Sequence, residues 1–198
     1  MALTIIGFAG PAGSGKSTAA RHLVDVHGAI RLPFARPLKA MLHHLLEVQG
    51  VGLALATRMI DGDLKEVPSP AFGGHTPRHA MQSLGTEWGR ALSPTFWVDA
   101  WRAAVDRADL ESSADLTDVT VVADDVRFPE EVAAIRALGG VVIRVIRAGA
   151  GLAGAGADHP SETTDLGAPD LLVVNDGSLD WLRTQIDAIA PSVMDRAG

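Results

Sequence analysis

The stretch LTIIGFAGPAGSGKS, residues 3–17, decides the fold of this chain. It begins as a short apolar β-run, passes through the pattern G-x-x-x-x-G-K-S and continues into a helix-forming segment over residues 18–27. A strand, a glycine-rich turn and a helix in this order are the setting of a phosphate-binding P-loop. The sequence therefore predicts a site for the phosphates of a nucleotide.

The residues of this loop have distinct expected roles. Glycines let the backbone curl, so that successive N–H groups converge on phosphate oxygens at a helix N-terminus whose dipole favours anions. We expect Lys16 to meet the terminal phosphates as a point charge and Ser17 to ligate magnesium. The predicted nucleotide-binding set is Gly10, Ala12, Gly13, Ser14, Gly15, Lys16, Ser17 and Thr18.

Length and composition indicate a packed globular protein. A chain of 198 residues suits one domain, and 47% hydrophobic against 21% charged residues provides a core to bury. The absence of cysteine excludes a disulfide framework, a cysteine nucleophile and a thiolate metal site. No N-terminal leader and no apolar run of about 18 residues is present. We therefore expect a cytoplasmic protein that neither is secreted nor spans a membrane.

The charge of the chain bears on its partners. A net charge of −7 counts against a protein that coats long nucleic acid through a basic face. Local basic pockets remain compatible with this charge. The expected partner is a small anionic molecule rather than a polymer.

Apolar runs and helical patterns alternate along the whole chain. Strands are predicted at 3–9, 29–32, 119–123, 141–146 and 171–174, and helices at 15–27, 37–48, 53–60, 77–90, 94–110 and 130–138. Five strands with helical crossovers predict an α/β fold with a doubly wound parallel sheet. The segment 148–157 is almost wholly Ala and Gly, and we interpret it as a flexible flap, with an ordinary surface loop as the alternative.

A P-loop enzyme also needs a carboxylate at the end of a neighbouring strand, to orient magnesium or its waters. Asp124 and Asp125 follow the apolar run 119–123 and supply it. Strand-ending aspartates are common without such a role. Asp124 lies closer to the strand end and is our first choice as a metal ligand beside Ser17.

The acceptor of the phosphoryl group calls for cations, because two polyanions repel each other and the transferred group stays highly charged. Arginines near strand ends and helix starts are the candidates. Arg90 and Arg144 belong to that group, but Arg78, Arg127 and Arg147 are better placed. The predicted catalytic residues are Lys16, Arg78, Asp124, Arg127 and Arg147.

Neither of two histidine pairs in the sequence predicts a metal site. His75 and His79 have the i, i+4 spacing that suits a metal on a helix, but Pro77 starts the helix after His75. The adjacent His43 and His44 are no better candidates.

Several further motifs carry a resemblance to a known family. They are FARPLK (34–39), DGDLK (61–65), QSLGTE (82–87) between Arg78 and Arg90, WVD (97–99), DDVRFPEE (124–131) and HPSE (159–162). In this order, over residues 3–182, the chain resembles the bacteriophage deoxynucleoside monophosphate kinases, a branch of the P-loop nucleoside monophosphate kinase group.

The resemblance implies a fold, a cofactor set and a substrate pocket. It implies a five-stranded sheet of order 2-3-1-4-5 with helices on both faces, a helical substrate-binding insert at 34–110 and a lid-like flap at 148–165, all within one kinase domain 1–198. It implies ATP as phosphoryl donor with Mg²⁺, a cytoplasmic location in the host if a phage encodes the chain, and it allows a homodimer. The substrate residues that it implies are Leu38, Lys39, Lys65, Arg78, Gly85, Thr86, Trp97, Asp99, Arg127 and Glu131.

The expected reaction is transfer of the ATP γ-phosphoryl group to the 5'-phosphate of a deoxynucleoside monophosphate. The flap lacks the arginines of many adenylate kinases, so either Arg144 and Arg147 or a residue elsewhere is expected to do that work. Similar motifs occur in kinases of phosphorylated small molecules, such as phosphomevalonate and dephospho-coenzyme A. Such an acceptor, a modified base in DNA, a nucleotide-dependent ATPase or switch, and a P-loop that binds nucleotide structurally all stay open.

Overall fold

The computed structural model describes residues 2–115, 117–151 and 163–194. The strands are β1 Leu3–Ala9, β2 Ile30–Arg31, β3 Val119–Val126, β4 Val141–Ile146 and β5 Leu171–Val174. The helices are α1 Lys16–His27, α2 Arg36–Val48, α3 Leu53–Ile60, α4 Pro77–Gln82, α5 Arg90–Leu92, α6 Phe96–Ala114, α7 Pro129–Ala137 and α8 Leu179–Met194, with a 3-10 turn at Pro70–Phe72 and a π-helix at Ser83–Gly89. Within these ranges, no helix has the length and apolarity that crossing a bilayer requires.

The strands form one parallel sheet of order β2-β3-β1-β4-β5. The central strand β1 pairs on both sides: Ile6 lies opposite Val122 of β3 and opposite Val141 of β4. Helices cover both faces of the sheet, because the crossovers from β1 to β2, from β2 to β3 and from β3 to β4 contain helices. The predicted α/β class and the strand order implied by the resemblance are confirmed.

Alternate residues of β1 face opposite layers of helices. Ile6 and Phe8 pack into a cluster with Leu23 of α1 and Ile186 of α8. On the other face, a Cβ added at Gly7 would lie 2.4 Å from a terminal methyl of Ile135 in α7. The strand therefore brings α1 to one side of the sheet and α7 to the other, with the P-loop at its carboxyl end.

The chain divides into two compact units. The larger comprises 1–34 and 101–198 and holds the sheet, and the smaller comprises 35–100. The smaller unit has its own core, made by Leu42, Leu46, Ala56, Met59 and Ile60. The 34–110 insert as a substrate-binding element stays a prediction. Most of the predicted flap at 148–165, and the HPSE motif at 159–162, lie outside the described residues.

The helix predicted over 77–90 differs in the structure. It begins as an α-helix at Pro77, where Thr76 accepts a hydrogen bond from the His79 N–H as N-cap, but Ser83–Gly89 adopts a π-helix. Trp97 packs against Gly89 and donates a hydrogen bond to the Gly85 carbonyl at 2.7 Å. A widened turn accommodates these contacts, and neither of them is local enough to be read from helical periodicity.

Replacing Gly140 by alanine should destabilise the larger unit. The new Cβ would lie 2.6 Å from Ile5 Cβ and 2.7 Å from the Ile5 carbonyl oxygen, and the backbone of a central strand cannot easily yield. We expect a loss of about 2 kcal/mol in the free energy of unfolding, measured by urea denaturation. The control is Gly52→Ala, since no described atom lies within 4 Å of its added Cβ. That variant should stay within about 1 kcal/mol of the parent, and equal midpoints for the two variants would refute the packing argument.

Candidate active site

The P-loop runs from the end of β1 to the start of α1 with a backbone that depends on glycine. Gly10, Gly13 and Gly15 have φ of 133°, 76° and 111°. At Gly10 a Cβ would lie 2.2 Å from the backbone carbonyl oxygen of Val145 in β4, so only glycine lets the loop pass there. The loop is thus pressed against the sheet at the point where α1 presents its N-terminal amides.

Two side chains of the loop are buried in ways that suit an anion. Lys16 turns back onto the loop, and its ammonium donates to the carbonyls of Gly10 at 2.6 Å and Pro11 at 2.7 Å. Ser14 is fully buried, and its hydroxyl oxygen has no hydrogen-bond partner among the described residues. An unsatisfied buried hydroxyl is costly, and a phosphate oxygen would satisfy it. The donor set of the loop therefore fits a nucleotide phosphate.

A cleft of about 410 Å³, here called the P-loop cleft, opens beside these residues. It brings together much of the predicted nucleotide-binding set with Arg147, and it adds a wall from the segment after β5. Ala12 lies outside it and accepts a hydrogen bond from the Gly151 N–H at 2.9 Å. The lining residues are Gly13, Gly15, Lys16, Ser17, Thr18, Arg147, Asn175, Gly177, Leu179 and Leu182.

Asn175 belongs to a motif, NDGS (175–178), that also occurs in similar form in kinases of phosphorylated small molecules, but the sequence analysis gave it no role in the site. It follows β5 directly, is buried, and its side-chain N–H donates to the Ser14 carbonyl at 2.8 Å. Its own backbone N–H donates to Ile146 at 2.8 Å, which ties it to β4. Asn175 therefore fixes the middle of the P-loop to the carboxyl end of the edge strand β5. A polar residue directly after an apolar strand was the available signal.

Arg127 lines a second cleft, of about 250 Å³, at the other end of the P-loop. Arg144 also lines it and donates to the Gly167 carbonyl at 2.8 Å. Both Arg127 and Arg147 were predicted to act around the same phosphoryl group. In the structure they line different clefts. The lining residues of the second cleft are Gly10, Pro11, Val126, Arg127, Arg144, Thr164, Asp165 and Leu166.

The two aspartates lie inside β3, and the prediction that the strand ends at residue 123 is wrong. Gly7 of β1 pairs with Ala123, but Ala9 pairs with Val126, so β3 contains one extra residue at this point. Such a bulge re-aims side chains. Asp124 is buried, and Asp125 accepts a hydrogen bond from the Phe34 N–H at 2.9 Å.

Asp124 forms a two-point ion pair with Arg31. The distances are 2.9 Å from Arg31 Nε to Oδ1 and 2.8 Å from Nη2 to Oδ2. Arg31 of β2 pairs in register with Val122, two residues before Asp124, and residues two apart in a strand share a face. The sequence alone does not reveal this partner, because it depends on β2 lying beside β3. The guanidinium offsets the charge of the buried carboxylate.

Glu131, predicted to bind substrate, caps α7 instead of pointing into a described cleft. Its carboxylate accepts hydrogen bonds from the N–H of Arg127 at 2.7 Å and from that of Phe128 at 3.1 Å. This contact stabilises the first turn of α7 and fixes the backbone at Arg127. A direct contact of Glu131 with substrate stays a prediction.

In the smaller unit, Lys39 belongs to a charged cluster. Its ammonium lies 3.0 Å from Asp61 Oδ1, and His43 Nε2 lies 3.1 Å from Asp61 Oδ2. Partial burial by itself raises the pKa of Asp61, but the hydrogen bonds from His43 and Lys39 outweigh it and hold the pKa below its usual range. Asp61 therefore orients Lys39, one of the substrate residues that the resemblance implies.

Arg78 and Lys65 are neighbours in the smaller unit. The Arg78 N–H donates to the Lys65 carbonyl at 3.0 Å, and the Arg78 guanidinium pairs with exposed Glu66. Leu38 is buried close to Gly85, since a Cβ added at Gly85 would lie 3.4 Å from Leu38 Cδ2. Thr86 follows within the π-helix and is half-buried.

Trp97 serves packing in this structure. It is 6% exposed, and Gly89 provides the space for its ring. Asp99, one of the substrate residues that the resemblance implies, accepts a hydrogen bond from the Thr95 hydroxyl at 2.9 Å. A contact of Trp97 with substrate stays a prediction, and it would require this buried ring to be uncovered. Trp88, which sequence reasoning missed, lies next to Trp97 and is 43% exposed.

Comparison with known proteins gives a consistent result. A profile of the family described as deoxynucleotide monophosphate kinase matches residues 73–186. A protein of Acanthamoeba polyphaga mimivirus with the provisional name deoxynucleotide monophosphate kinase is 30% identical over 196 residues, covering 93% of this chain and 94% of its own length. TT1252 from Thermus thermophilus, a crystal structure, is 21% identical with a TM-score of 0.49, covering 98% of this chain and 99% of its own. No functional inference follows from that last similarity.

Replacing Arg31 by alanine should be costly, because it leaves the buried Asp124 carboxylate without its guanidinium. The side chain of Arg31 is 43% exposed and that of Asp124 is 2% exposed. We expect a loss of about 2–3 kcal/mol in the free energy of unfolding at neutral pH. The matched control is Arg183→Ala, since Arg183 is 46% exposed but pairs with Asp180, which is 85% exposed. The control should lose at most about 1 kcal/mol, and equal losses in chemical denaturation would contradict the account.

Proposed function

This chain belongs to the deoxynucleotide monophosphate kinase family, and we propose that it transfers the γ-phosphoryl group of ATP to the 5'-phosphate of a deoxynucleoside monophosphate. Membership makes it a nucleotide kinase, and hence a phosphotransferase. The proposed transfer is in line and yields the diphosphate and ADP. The observation that supports it best is the P-loop with buried Lys16 and an unpartnered Ser14 hydroxyl beside a cleft in the described residues.

The donor triphosphate would bind at the P-loop cleft. The backbone amides from Gly13 to Thr18 would hold its oxygens, and the Lys16 ammonium would exchange two carbonyl partners for the terminal phosphates. Ser17 is exposed at the first turn of α1 and offers a hydroxyl to a hard cation. Asp124 would offer a carboxylate to the same ion, and for this it would have to share or exchange its ion pair with Arg31. Bound Mg²⁺ would supply charge neutralisation there. Arg147 would add a cation on the same cleft.

The acceptor needs cations of its own. In the larger unit we assign this role to Arg127, whose backbone is fixed by Glu131. In the smaller unit we assign Lys39 and Arg78 to anion binding, and Leu38, Lys65, Gly85, Thr86, Trp97 and Asp99 to the rest of the nucleotide. The acceptor oxygen is already anionic at neutral pH, so no general base is required. Catalysis would rest on positioning and charge neutralisation.

We also propose that the protein works in the cytoplasm on free nucleotides. The absence of cysteine fits a reducing compartment, and the acidic net charge fits a small substrate better than long DNA. A bacteriophage origin and a homodimer are the further expectations of the resemblance.

A coupled assay of ADP release tests the reaction. ADP should form only when a deoxynucleoside monophosphate is present, and Lys16→Ala should lower turnover about 100- to 1000-fold, because it removes a preorganised charge donor. Arg21→Ala, an exposed position on the same helix, is the control and should keep parental turnover.

The same assay separates the alternatives. Ribonucleoside monophosphates, dephospho-coenzyme A, phosphomevalonate and a thymidine-rich oligonucleotide are the comparison acceptors. ADP release with one of the last three and not with deoxynucleotides would replace the proposed acceptor. ADP release without any acceptor would indicate an ATPase or switch instead.

The two clefts predict different kinetic defects for two arginine variants. Arg147→Ala should raise the KM for ATP, because Arg147 lines the P-loop cleft, and Arg127→Ala should raise the KM for the deoxynucleotide. Each change should be about tenfold or more, the usual cost of a lost hydrogen bond to a charged group. Arg183 lines neither cleft, so Arg183→Ala should leave the KM for ATP and the KM for the deoxynucleotide unchanged. A reversed pattern in steady-state kinetics would exchange the two roles.

A further inference from the structure

A cluster of three potential metal ligands lies outside both clefts. His22 and His27 project from α1 and Asp187 from α8. Both imidazoles lie within hydrogen-bonding distance of the same carboxylate oxygen: His22 Nε2 lies 2.7 Å and His27 Nε2 lies 3.1 Å from Asp187 Oδ1. The proposed kinase reaction uses none of these residues.

The geometry of the cluster suits a small transition-metal ion. One ligand atom from each residue lies within 4.8 Å of the other two. Zinc bonds of about 2.0–2.2 Å in a tetrahedral arrangement separate ligand atoms by roughly 3.3 Å. The two imidazole–carboxylate distances of 2.7 and 3.1 Å would lengthen slightly on binding, and any separation near the 4.8 Å limit would shorten. Two imidazoles and one carboxylate favour zinc over magnesium, which prefers oxygen ligands alone.

The surroundings of the cluster support binding rather than chance proximity. The two rings meet edge to face with centroids 6.2 Å apart, and both present Nε2 to the same carboxylate oxygen. His22 and His27 are partly buried between the helices, and Asp187 is about half exposed, which leaves an entry path and room for a water ligand. Among the described residues, this is the group of three such side chains that could hold one ion.

We propose that His22, His27 and Asp187 form a Zn²⁺ site that fastens α8 to α1. The helix α1 carries the P-loop at its start, and Leu182 of α8 lines the P-loop cleft. The ion would join these two helices on the side away from the phosphates. The proposed role is structural. An ion that binds only to the folded chain stabilises that chain by mass action.

The first experiment uses the full chain after treatment with a chelator and without nucleotide. Zn²⁺ is titrated by calorimetry, Co²⁺ is followed by its visible absorption, and thermal unfolding is recorded with and without zinc. We expect one ion per chain, a tetrahedral cobalt spectrum, and a Tm raised by about 5 °C or more when Zn²⁺ exceeds its Kd about 100-fold. Absence of a saturable single site would overturn the proposal.

The variants identify the ligands. Asp187→Asn and His27→Ala should each weaken zinc binding about tenfold or more, and His22→Ala/His27→Ala should abolish the cobalt spectrum. Asp187→Asn changes a half-exposed side chain, and measuring its Tm without metal will check that it folds. The matched control is His75→Ala/His79→Ala, which removes a stacked pair with centroids 4.6 Å apart in the smaller unit. If the control loses zinc binding and the α1 variants keep it, the ion binds elsewhere and the proposal is wrong.

Discussion

The site depends on the close approach of the P-loop backbone to the neighbouring strand. The Gly10 Cα faces the Val145 carbonyl so tightly that no side chain fits between them. From the other side, the Asn175 amide holds the Ser14 carbonyl. The loop is therefore clamped by β4 and by the segment after β5 before any ligand arrives. A loop fixed in this way offers its amides to phosphate with little ordering cost, which is how preorganised sites gain binding energy.

Buried charge is handled by partners that the parallel sheet brings together. Carboxyl ends of parallel strands meet at one edge, so Arg31 from β2 and Asp124 from β3 converge next to β1. The bulge in β3 directs the two aspartates differently: Asp124 towards a guanidinium and Asp125 towards a backbone amide. Glu131 then fixes the chain after β3 through two more amides. Together these contacts set the backbone that carries Arg127 at the second cleft.

The sequence predicted what depends on neighbours along the chain. The β1, P-loop and α1 segments followed from glycine spacing, and the strand order came with the family resemblance. What it missed depends on distant residues: Arg31 becomes a partner of Asp124 only through β2–β3 register, and Asn175 reaches Ser14 across the sheet. The π-helix at Ser83–Gly89 accommodates the ring of Trp97, which is distant in sequence. His22 and His27 converge on Asp187 only because α1 packs against α8. Periodicity carries no information on such contacts.

The most direct measurement is a crystal structure of the chain with a non-hydrolysable ATP analogue, Mg²⁺ and a deoxynucleoside monophosphate. The account predicts the triphosphate against the amides of residues 13–18, with the Lys16 ammonium moved from the Gly10 and Pro11 carbonyls to its oxygens and the Ser14 hydroxyl hydrogen-bonded. A triphosphate bound elsewhere, with Lys16 still on those two carbonyls, would contradict it.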